Sequence, residues 1–143
     1  MKTLQQLLDT KKHKSVISIA PNRPVYDALV VLAEYKIGAL VVLDGDKLAG
    51  IFSERDYARE IILKGKSSKT TPISEVMSSN VLTVKPHDTV EQAMNIMSDK
   101  HIRHLPVLEG DKVIGMLSIG DLVKETIEYQ QTLIKQLESY ITG

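Results

Sequence analysis

Two serine–aspartate pairs with the same spacing are the residues of this sequence best suited to chemistry. Ser53 stands three residues before Asp56, and Ser118 stands three residues before Asp121. This spacing is typical of a helix N-terminus, where the serine accepts a backbone N–H and the carboxylate faces the positive end of the helix dipole. A carboxylate at the mouth of a cleft can also accept hydrogen bonds from both hydroxyls of a ribose. The two interpretations are compatible. A serine hydroxyl and the free N–H groups at a helix start can also donate hydrogen bonds to a phosphate.

Other kinds of reactive site find little support in the sequence. The chain has no cysteine, so it has neither a thiolate nucleophile nor a cysteine-based metal site. The four histidines, His13, His87, His101 and His104, do not have the spacing or the carboxylate neighbours of a metal site. No serine is placed with a histidine and an aspartate at a nucleophile elbow, and the glycine before Lys66 lacks the upstream glycine of a P-loop. We therefore expect no metal and no catalytic activity.

Composition narrows the class of protein further. The 143 residues carry 18 basic and 18 acidic side chains, a balance that does not favour a nucleic-acid partner. Hydrophobic residues make up 43% of the chain, enough for a folded core. No apolar stretch approaches the roughly 20 residues of a membrane helix, and the chain does not begin like a secretory signal. These features predict a cytoplasmic protein without a membrane partner.

The sequence repeats itself at a shift of 65 residues. The shift places Gly50 on Gly115 and Asp56 on Asp121, and it needs no gap between Val16 and Ile62 (115 − 50 and 121 − 56 both equal 65). Each copy is too short to bury a core alone, so two copies should pack into one pseudo-symmetric module.

Each copy has the residue pattern of a β-α-β-β-α unit, which predicts an α+β fold. An extended run is followed by a helix whose apolar residues fall on one face, and then by two short strands joined at a glycine turn. Thr89 and Gln92 form the pattern of a capping box at the start of the second copy's first helix. Helices at the N- and C-termini flank the two copies.

The predicted module covers residues 1–143. It comprises a first repeat at 12–64, a linker with a short helix at 65–76, a second repeat at 77–127, and a C-terminal helical extension at 128–143.

The last helix of each copy opens with the pattern Gly-x-x-Ser-x-x-Asp, at 50–56 and again at 115–121. Together with the Ile-Arg-His-Leu-Pro-Val run at 102–107, this pattern resembles the cystathionine β-synthase (CBS) domain family. The resemblance covers essentially the whole chain as a tandem pair, a Bateman module of the free-standing type without an enzyme domain. It implies binding of adenosine ligands (AMP, ADP, ATP or NAD(H)) in clefts between the copies, homodimerisation, and no catalysis. No cofactor would be required beyond such a regulatory ligand.

The resemblance also implies which residues of this sequence line the two clefts. It assigns to a first pocket Ser53, Arg55, Asp56, Met77, Leu82, Ile102, Arg103 and His104. It assigns to a second pocket Lys12, Ile17, Ile37, Gly38, Ala39, Ser118, Gly120 and Asp121.

The two pockets should differ in charge. In the family a basic pair contacts the ligand phosphates, and Arg103 with His104 fits that place in the first pocket. Neighbouring residues of a strand face opposite sides. One residue of the pair could therefore be an ordinary surface charge instead of a phosphate contact. Their counterparts are Gly38 and Ala39, so the second pocket should tolerate phosphate less well, bind a neutral-ended or dinucleotide ligand, or stay empty.

The C-terminal segment carries an apolar repeat that indicates a helical partner. Its positions follow the a/d spacing of a coiled coil: Val123, Ile127, Gln130, Ile134, Leu137 and Ile141. Packing on the chain's own N-terminal helix is one interpretation, and a helix across a homodimer is the other, which its length favours.

We expect a homodimer that senses adenylate charge or a redox cofactor and modulates a protein not yet identified. A structural dimerisation module with vestigial pockets is the alternative.

Overall fold

The helices and strands follow the order that the repeat predicts. They come from a computed structural model, which describes residues 2–11 and 16–142. The elements are α1 (Leu4–Asp9), β1 (Ser18–Ile19), α2 (Val25–Tyr35), β2 (Ala39–Asp44), β3 (Lys47–Ser53), α3 (Glu54–Tyr57), a π-helical segment (Ala58–Ile62), a 3-10 turn (Ile73–Glu75), α4 (Val90–Lys100), β4 (His104–Glu109), β5 (Lys112–Ser118) and α5 (Ile119–Thr142). The predicted α+β class is confirmed.

The chain divides into two compact units, each built around one repeat. The first unit contains the described residues of 16–82 and 109–114, and the second contains those of 2–11, 83–108 and 115–142. The segment before the first repeat is therefore part of the unit that holds the second repeat.

The first unit is a small sheet covered by one helix. Strand β1 pairs in parallel with β2, and β2 pairs antiparallel with β3, so β2 is central. Helix α2 buries one face at helical spacing, with Val25, Ala28 and Leu32 almost inaccessible. These residues pack in one core cluster with Leu40 and Phe52 of the hairpin. The cluster fixes the end of β3, where Ser53 stands.

The second unit is completed by the N-terminal segment. Strands β4 and β5 form a two-stranded sheet, and Val84 pairs with Val107 in a single parallel bridge. The backbone N–H of Leu4 donates to the Asp88 carbonyl at 2.8 Å, and the Leu4 side chain is fully buried. The Lys2 ammonium lies 3.4 Å from the buried carboxylate of Glu125. Residues 2–11 are thus held against the second repeat at both the backbone and the side chains.

The two repeats agree in backbone detail as well as in sequence. Helix α2 ends at Lys36 and α4 ends at His101, and both residues adopt the left-handed conformation at φ 54°. The hairpin turns contain Gly45 and Gly110 at φ 64° and 61°. The capping box predicted for Thr89 and Gln92 is present, with the Gln92 N–H donating to Thr89 Oγ1 at 3.2 Å.

Three local details go beyond the predicted elements. The extended run before Pro86 forms a single bridge, between Val84 and Val107. Pro24 is the N-cap of α2, with an extended backbone at ψ 149°. The helix after Ser53 keeps the α form only to Tyr57 and then widens into the π-helical segment.

Helix α5 is one continuous helix of 24 residues, which runs from the end of the second repeat through the C-terminal segment. Its first two turns are anchored by Leu122 and Glu125, which are both buried. From residue 130 onward every described residue is exposed. No helix within residues 2–11 and 16–142 is long and apolar enough to cross a membrane.

Candidate functional site

The first serine–aspartate turn lies where β3 leads into α3. Ser53 has an extended backbone and caps the helix, because its Oγ accepts the Asp56 N–H at 3.2 Å. Asp56 reaches back, and its Oδ2 accepts the Ser53 N–H at 2.9 Å and the Ser53 hydroxyl at 3.0 Å. The N-cap predicted from the sequence is therefore real, and it holds one oxygen of the carboxylate firmly in place.

A second segment of the first unit runs beside this turn. The backbones of Ile51 and Ser78 exchange two hydrogen bonds, of 3.0 Å and 2.9 Å. The close approach requires Gly50, since a Cβ there would lie 2.7 Å from the Ser78 carbonyl oxygen and 2.8 Å from Met77 Sδ. The Ser78 hydroxyl stands 3.4 Å from Asp56 Oδ1, a long and weak hydrogen bond. Met77, Ser53 and Asp56, which are predicted members of one pocket, thus lie together in the first unit.

The second turn repeats this geometry where β5 leads into α5. The Ser118 N–H donates to Asp121 Oδ2 at 2.8 Å, and the Asp121 N–H donates to Ser118 Oγ at 3.1 Å. A Cβ on the neighbouring Gly115 would lie 2.6 Å from the end of the Leu8 side chain. Here the segment that approaches the turn comes from the N-terminus of the chain.

The second turn has a cationic partner that the sequence analysis missed. The Lys11 ammonium lies 2.9 Å from Asp121 Oδ2 and donates to the Met116 carbonyl at 2.8 Å. Within the described residues of the first unit, no lysine or arginine makes an ion pair with Asp56. The gapless self-alignment begins at Val16, so the sequence comparison did not reach Lys11.

Burial and these contacts act on Asp121 in opposite directions. Loss of water raises the pKa of the Asp121 carboxyl, while the hydrogen bonds from Ser118 and Lys11 and the charge of Lys11 lower it. The lowering effects win, so the pKa of Asp121 lies below its ordinary value of 3.8. The carboxylate is therefore ionised at neutral pH, as an acceptor of ligand hydroxyls must be.

Each turn also touches the residue just before the first hairpin strand of its own unit. The Glu54 N–H donates to the Gly38 carbonyl at 3.0 Å, and the Ile119 N–H donates to the Arg103 carbonyl at 2.8 Å. Gly38 was assigned to the second pocket and lies by the first turn, whereas Arg103 was assigned to the first pocket and lies by the second turn. Within each unit, residues of one predicted pocket thus lie beside residues of the other.

The other predicted site residues differ in how far they are exposed. Ile17, Ile37 and Met77 are partly buried and pack against the core cluster of the first unit. Arg55, Leu82, Arg103 and Gly120 are exposed, and Ile102 and His104 are half-buried at the start of β4. Ala39 is buried opposite Ser53 in the β2–β3 register, whereas Lys12 and His13 lie outside the described residues.

The arrangement suits recognition of hydroxyl groups. Both carboxylates are fixed at a helix start, and most of their intramolecular hydrogen bonds fall on Oδ2. In the described part of the chain, no three His, Asp or Glu side chains lie close enough together to hold a metal ion.

Comparison with known proteins identifies the same two repeats. The family model described as CBS domain matches residues 12–63 and 73–128. The chain is 41% identical over 124 residues to the mitochondrial CBS domain-containing protein CBSX3 of Arabidopsis thaliana, covering 83% of this chain and 60% of that relative. It therefore spans less than two thirds of that relative's length.

Solved structures share the fold over most of the chain. One of them is a putative signal-transduction protein with CBS domains from Burkholderia ambifaria, which is 45% identical to this chain. The match has a TM-score of 0.85 and covers 89% of this chain and 95% of the other. The CBS domain pair of the protein MJ0100, solved in complex with 5′-methylthioadenosine and S-adenosyl-L-methionine, is 24% identical with a TM-score of 0.77. That pair covers 87% of this chain and 99% of its own, and at this identity it shows the fold alone.

Proposed function

Because the chain belongs to the CBS domain family, we propose that it is a non-catalytic regulatory module whose two serine–aspartate turns bind the ribose of adenosine ligands. The observation that carries this proposal is the duplicated turn itself. In both units a carboxylate at a helix start is held by the N–H of a serine three residues earlier, at 2.9 Å and 2.8 Å. The same reciprocal bonds form at the Thr89–Gln92 capping box, so what distinguishes the two turns is that they place a charged carboxylate there, where a neutral amide is sufficient for the cap.

We propose that the two oxygens of each carboxylate have different tasks. Oδ2 accepts the serine N–H and so fixes the orientation of the group. Oδ1 of Asp56 has only the weak contact with the Ser78 hydroxyl at 3.4 Å, which a ligand hydroxyl can replace. Hydrogen bonds from neutral hydroxyls to a carboxylate are charge-assisted and therefore strong. We propose Oδ1 as the oxygen that receives the ribose hydroxyls.

The proposed ligands are AMP, ADP, ATP or NAD(H). The protein MJ0100, of the same fold, was solved with two other adenosine derivatives, and this supports the adenosine class in general. Arg103 and His104 stay the proposed phosphate contacts of the first pocket. Binding would change the surface offered to a regulated protein, because a ligand shifts a conformational equilibrium by its difference in affinity for the two states. The cytoplasmic location also stays a prediction, since one relative is named as mitochondrial.

A nucleotide panel measured by thermal unfolding tests the proposal. A ligand that binds the folded state raises the melting temperature in proportion to RT ln(1 + [L]/Kd). We expect AMP, ATP or NADH to raise it in the unmodified protein and to raise it less in Asp56→Asn and Asp121→Asn. The asparagine amide oxygen can still accept the serine N–H, so the caps survive. Asp99→Asn, an exposed aspartate of α4, is the matched control. Equal shifts in all four proteins would contradict the proposal.

A dimerisation module with vestigial pockets is the second candidate, and one observation favours it. Helix α5 exposes large apolar side chains at the predicted a/d positions: Val123, Ile127, Ile134, Leu137 and Ile141 are between 40% and 81% exposed. A second copy of this chain is the proposed occupant, because the stripe keeps heptad spacing and is complementary to itself, with Gln130 as a polar position that can set register.

Sedimentation of an α5 variant tests this dimer. Ile134→Lys with Leu137→Lys places charges on the stripe, and we expect the variant to sediment as a monomer while the unmodified protein sediments as a dimer. Gln131→Lys with Lys135→Glu changes exposed positions beside the stripe and should leave the dimer intact. A dimer that persists in the first variant would contradict the proposed interface. A dimer without any nucleotide response would favour the second candidate over the first.

A further inference from the structure

Lys11 is held in a defined position beside the second turn. It follows α1, whose residues Leu4 and Leu7 are buried, and its own N–H donates to the Leu8 carbonyl at 3.1 Å. Its side chain is 28% exposed and the Asp121 side chain 27% exposed, so the pair is partly screened from solvent. The ion pair is therefore a built part of the turn rather than a surface contact between two mobile side chains.

Among the described residues of its own unit, the first turn has no equivalent of this lysine. The 65-residue shift places Lys11 on Val76, a buried apolar residue of the first unit (76 − 11 equals 65). The segment that approaches Asp56 offers it the Ser78 hydroxyl instead. Within the unit to which each belongs, Asp121 is paired with a cation and Asp56 is bonded to hydroxyl and N–H groups.

We propose that Lys11 sets the charge selectivity of the Asp121 site, so that this site prefers ribosides carrying an anionic group over neutral ribosides. The inference rests on the function proposed above, since it concerns the same carboxylate. It adds Lys11 to the second pocket, in which Gly38 and Ala39 stand in place of Arg103 and His104.

Two effects of the ammonium produce this preference. Lys11 balances the charge of Asp121, so an anionic ligand approaches a neutral pair rather than a bare carboxylate. Two of the three ammonium protons are engaged by Met116 and Asp121, and the third can be donated to a ligand oxygen. Competition between ribose hydroxyls and the ammonium for the carboxylate weakens neutral and anionic ribosides alike. Only an anionic ligand gains from the charge of Lys11, so the ratio of the two affinities shifts towards the anionic ligand.

The test compares AMP with adenosine at the Asp121 site alone. Asp56→Asn serves as the background that weakens the first site, and calorimetric titration gives the two dissociation constants with Lys11, Lys11→Met and Lys11→Arg. The Lys11 ammonium and a ligand phosphate several ångströms apart in a partly aqueous site interact strongly enough to change the affinity for AMP about fivefold. We expect Lys11→Met to lower the ratio of AMP affinity to adenosine affinity about fivefold, and Lys11→Arg to keep the ratio.

The outcomes separate this inference from the proposed function. An unchanged ratio in Lys11→Met, with both ligands still binding, overturns the role of Lys11 and leaves the proposed function standing. If the unmodified protein binds a ligand and Asp56→Asn binds none, the proposed role of Lys11 is also overturned, because the Asp121 site then binds nothing. Absence of binding by either ligand to the unmodified protein contradicts the proposed function itself. Because methionine keeps the length of the side chain and arginine keeps its charge, one of the two variants should retain the fold if the other does not.

Discussion

The two serine–aspartate turns share their sequence pattern and backbone but differ in what approaches them. In the first unit the approaching segment contains Met77 and Ser78, and in the second it contains Leu8 and Lys11. The local sequence therefore specifies the turn, while a segment distant in sequence specifies its charge. A duplicated unit can acquire two different binding preferences in this way without any change in the turns themselves.

The largest expected effect concerns Gly50 and Gly115, the glycines of the two Gly-x-x-Ser-x-x-Asp patterns, where another segment of the chain approaches closely. Gly50→Ala would place a Cβ 2.7 Å from a backbone oxygen, whereas Gly115→Ala would meet the flexible end of Leu8 at 2.6 Å. Overpacking costs about 1–3 kcal/mol, and a side chain can move aside more easily than a backbone. Chemical denaturation should show a loss of about 2 kcal/mol for Gly50→Ala and a clearly smaller loss for Gly115→Ala. Equal losses would show that the two approaches are equally rigid.

The second effect is a pH dependence that belongs to the second turn. The pKa of Asp121 is lower in the folded protein than its ordinary value of 3.8, because hydrogen bonds from Ser118 and Lys11 outweigh the effect of burial. Its contribution to stability is therefore present above that ordinary value and is lost as the pH falls through the folded-state pKa.

Urea unfolding as a function of pH measures this contribution. Asp121→Asn removes the titrating group, and we expect it to lower stability by about 1 kcal/mol at neutral pH and by less under acidic conditions. Lys11→Met should reduce the same pH dependence only in part, since the Ser118 hydrogen bonds remain. A stability difference between the unmodified protein and Asp121→Asn that stays constant down to about pH 3 would contradict this assignment.

The smallest effect should be equal in the two units. Lys36 and His101 end their helices in the left-handed conformation at φ 54°, which a side chain disfavours and glycine accepts. We expect Lys36→Gly and His101→Gly each to raise the free energy of unfolding by about 0.5–1 kcal/mol, and Lys36→Ala to give no such gain. Thermal unfolding of the three variants checks this. A glycine that destabilises either unit would show that its helix end depends on the side chain present.

Much of each unit could be predicted from the sequence, because its elements rest on local chemistry. The capping box at Thr89, the hairpins at Gly45 and Gly110, and the helix start at Ser53 all depend on residues a few positions apart. The family resemblance then added the ligand class, which local chemistry alone leaves open between a helix cap and a binding site.

The parts that could not be predicted depend on contacts between distant segments. The ion pair of Lys11 joins residues 110 positions apart, and Lys11 lies outside the range over which the repeats align. The Ser78 contact with Asp56 likewise follows from a backbone pairing with Ile51 that has no sequence pattern of its own. The widening of the helix after Tyr57 also has no marker such as proline or glycine in the sequence.

A crystal structure of the protein grown with AMP shows whether the serine–aspartate turns bind ribose. We expect ribose hydroxyls within hydrogen-bond distance of the Asp56 carboxylate, with its Oδ2 still held by the Ser53 N–H. We also expect the Lys11–Asp121 pair intact beside any AMP at the second turn. AMP bound elsewhere, with neither carboxylate touching a ribose, would contradict the proposed function.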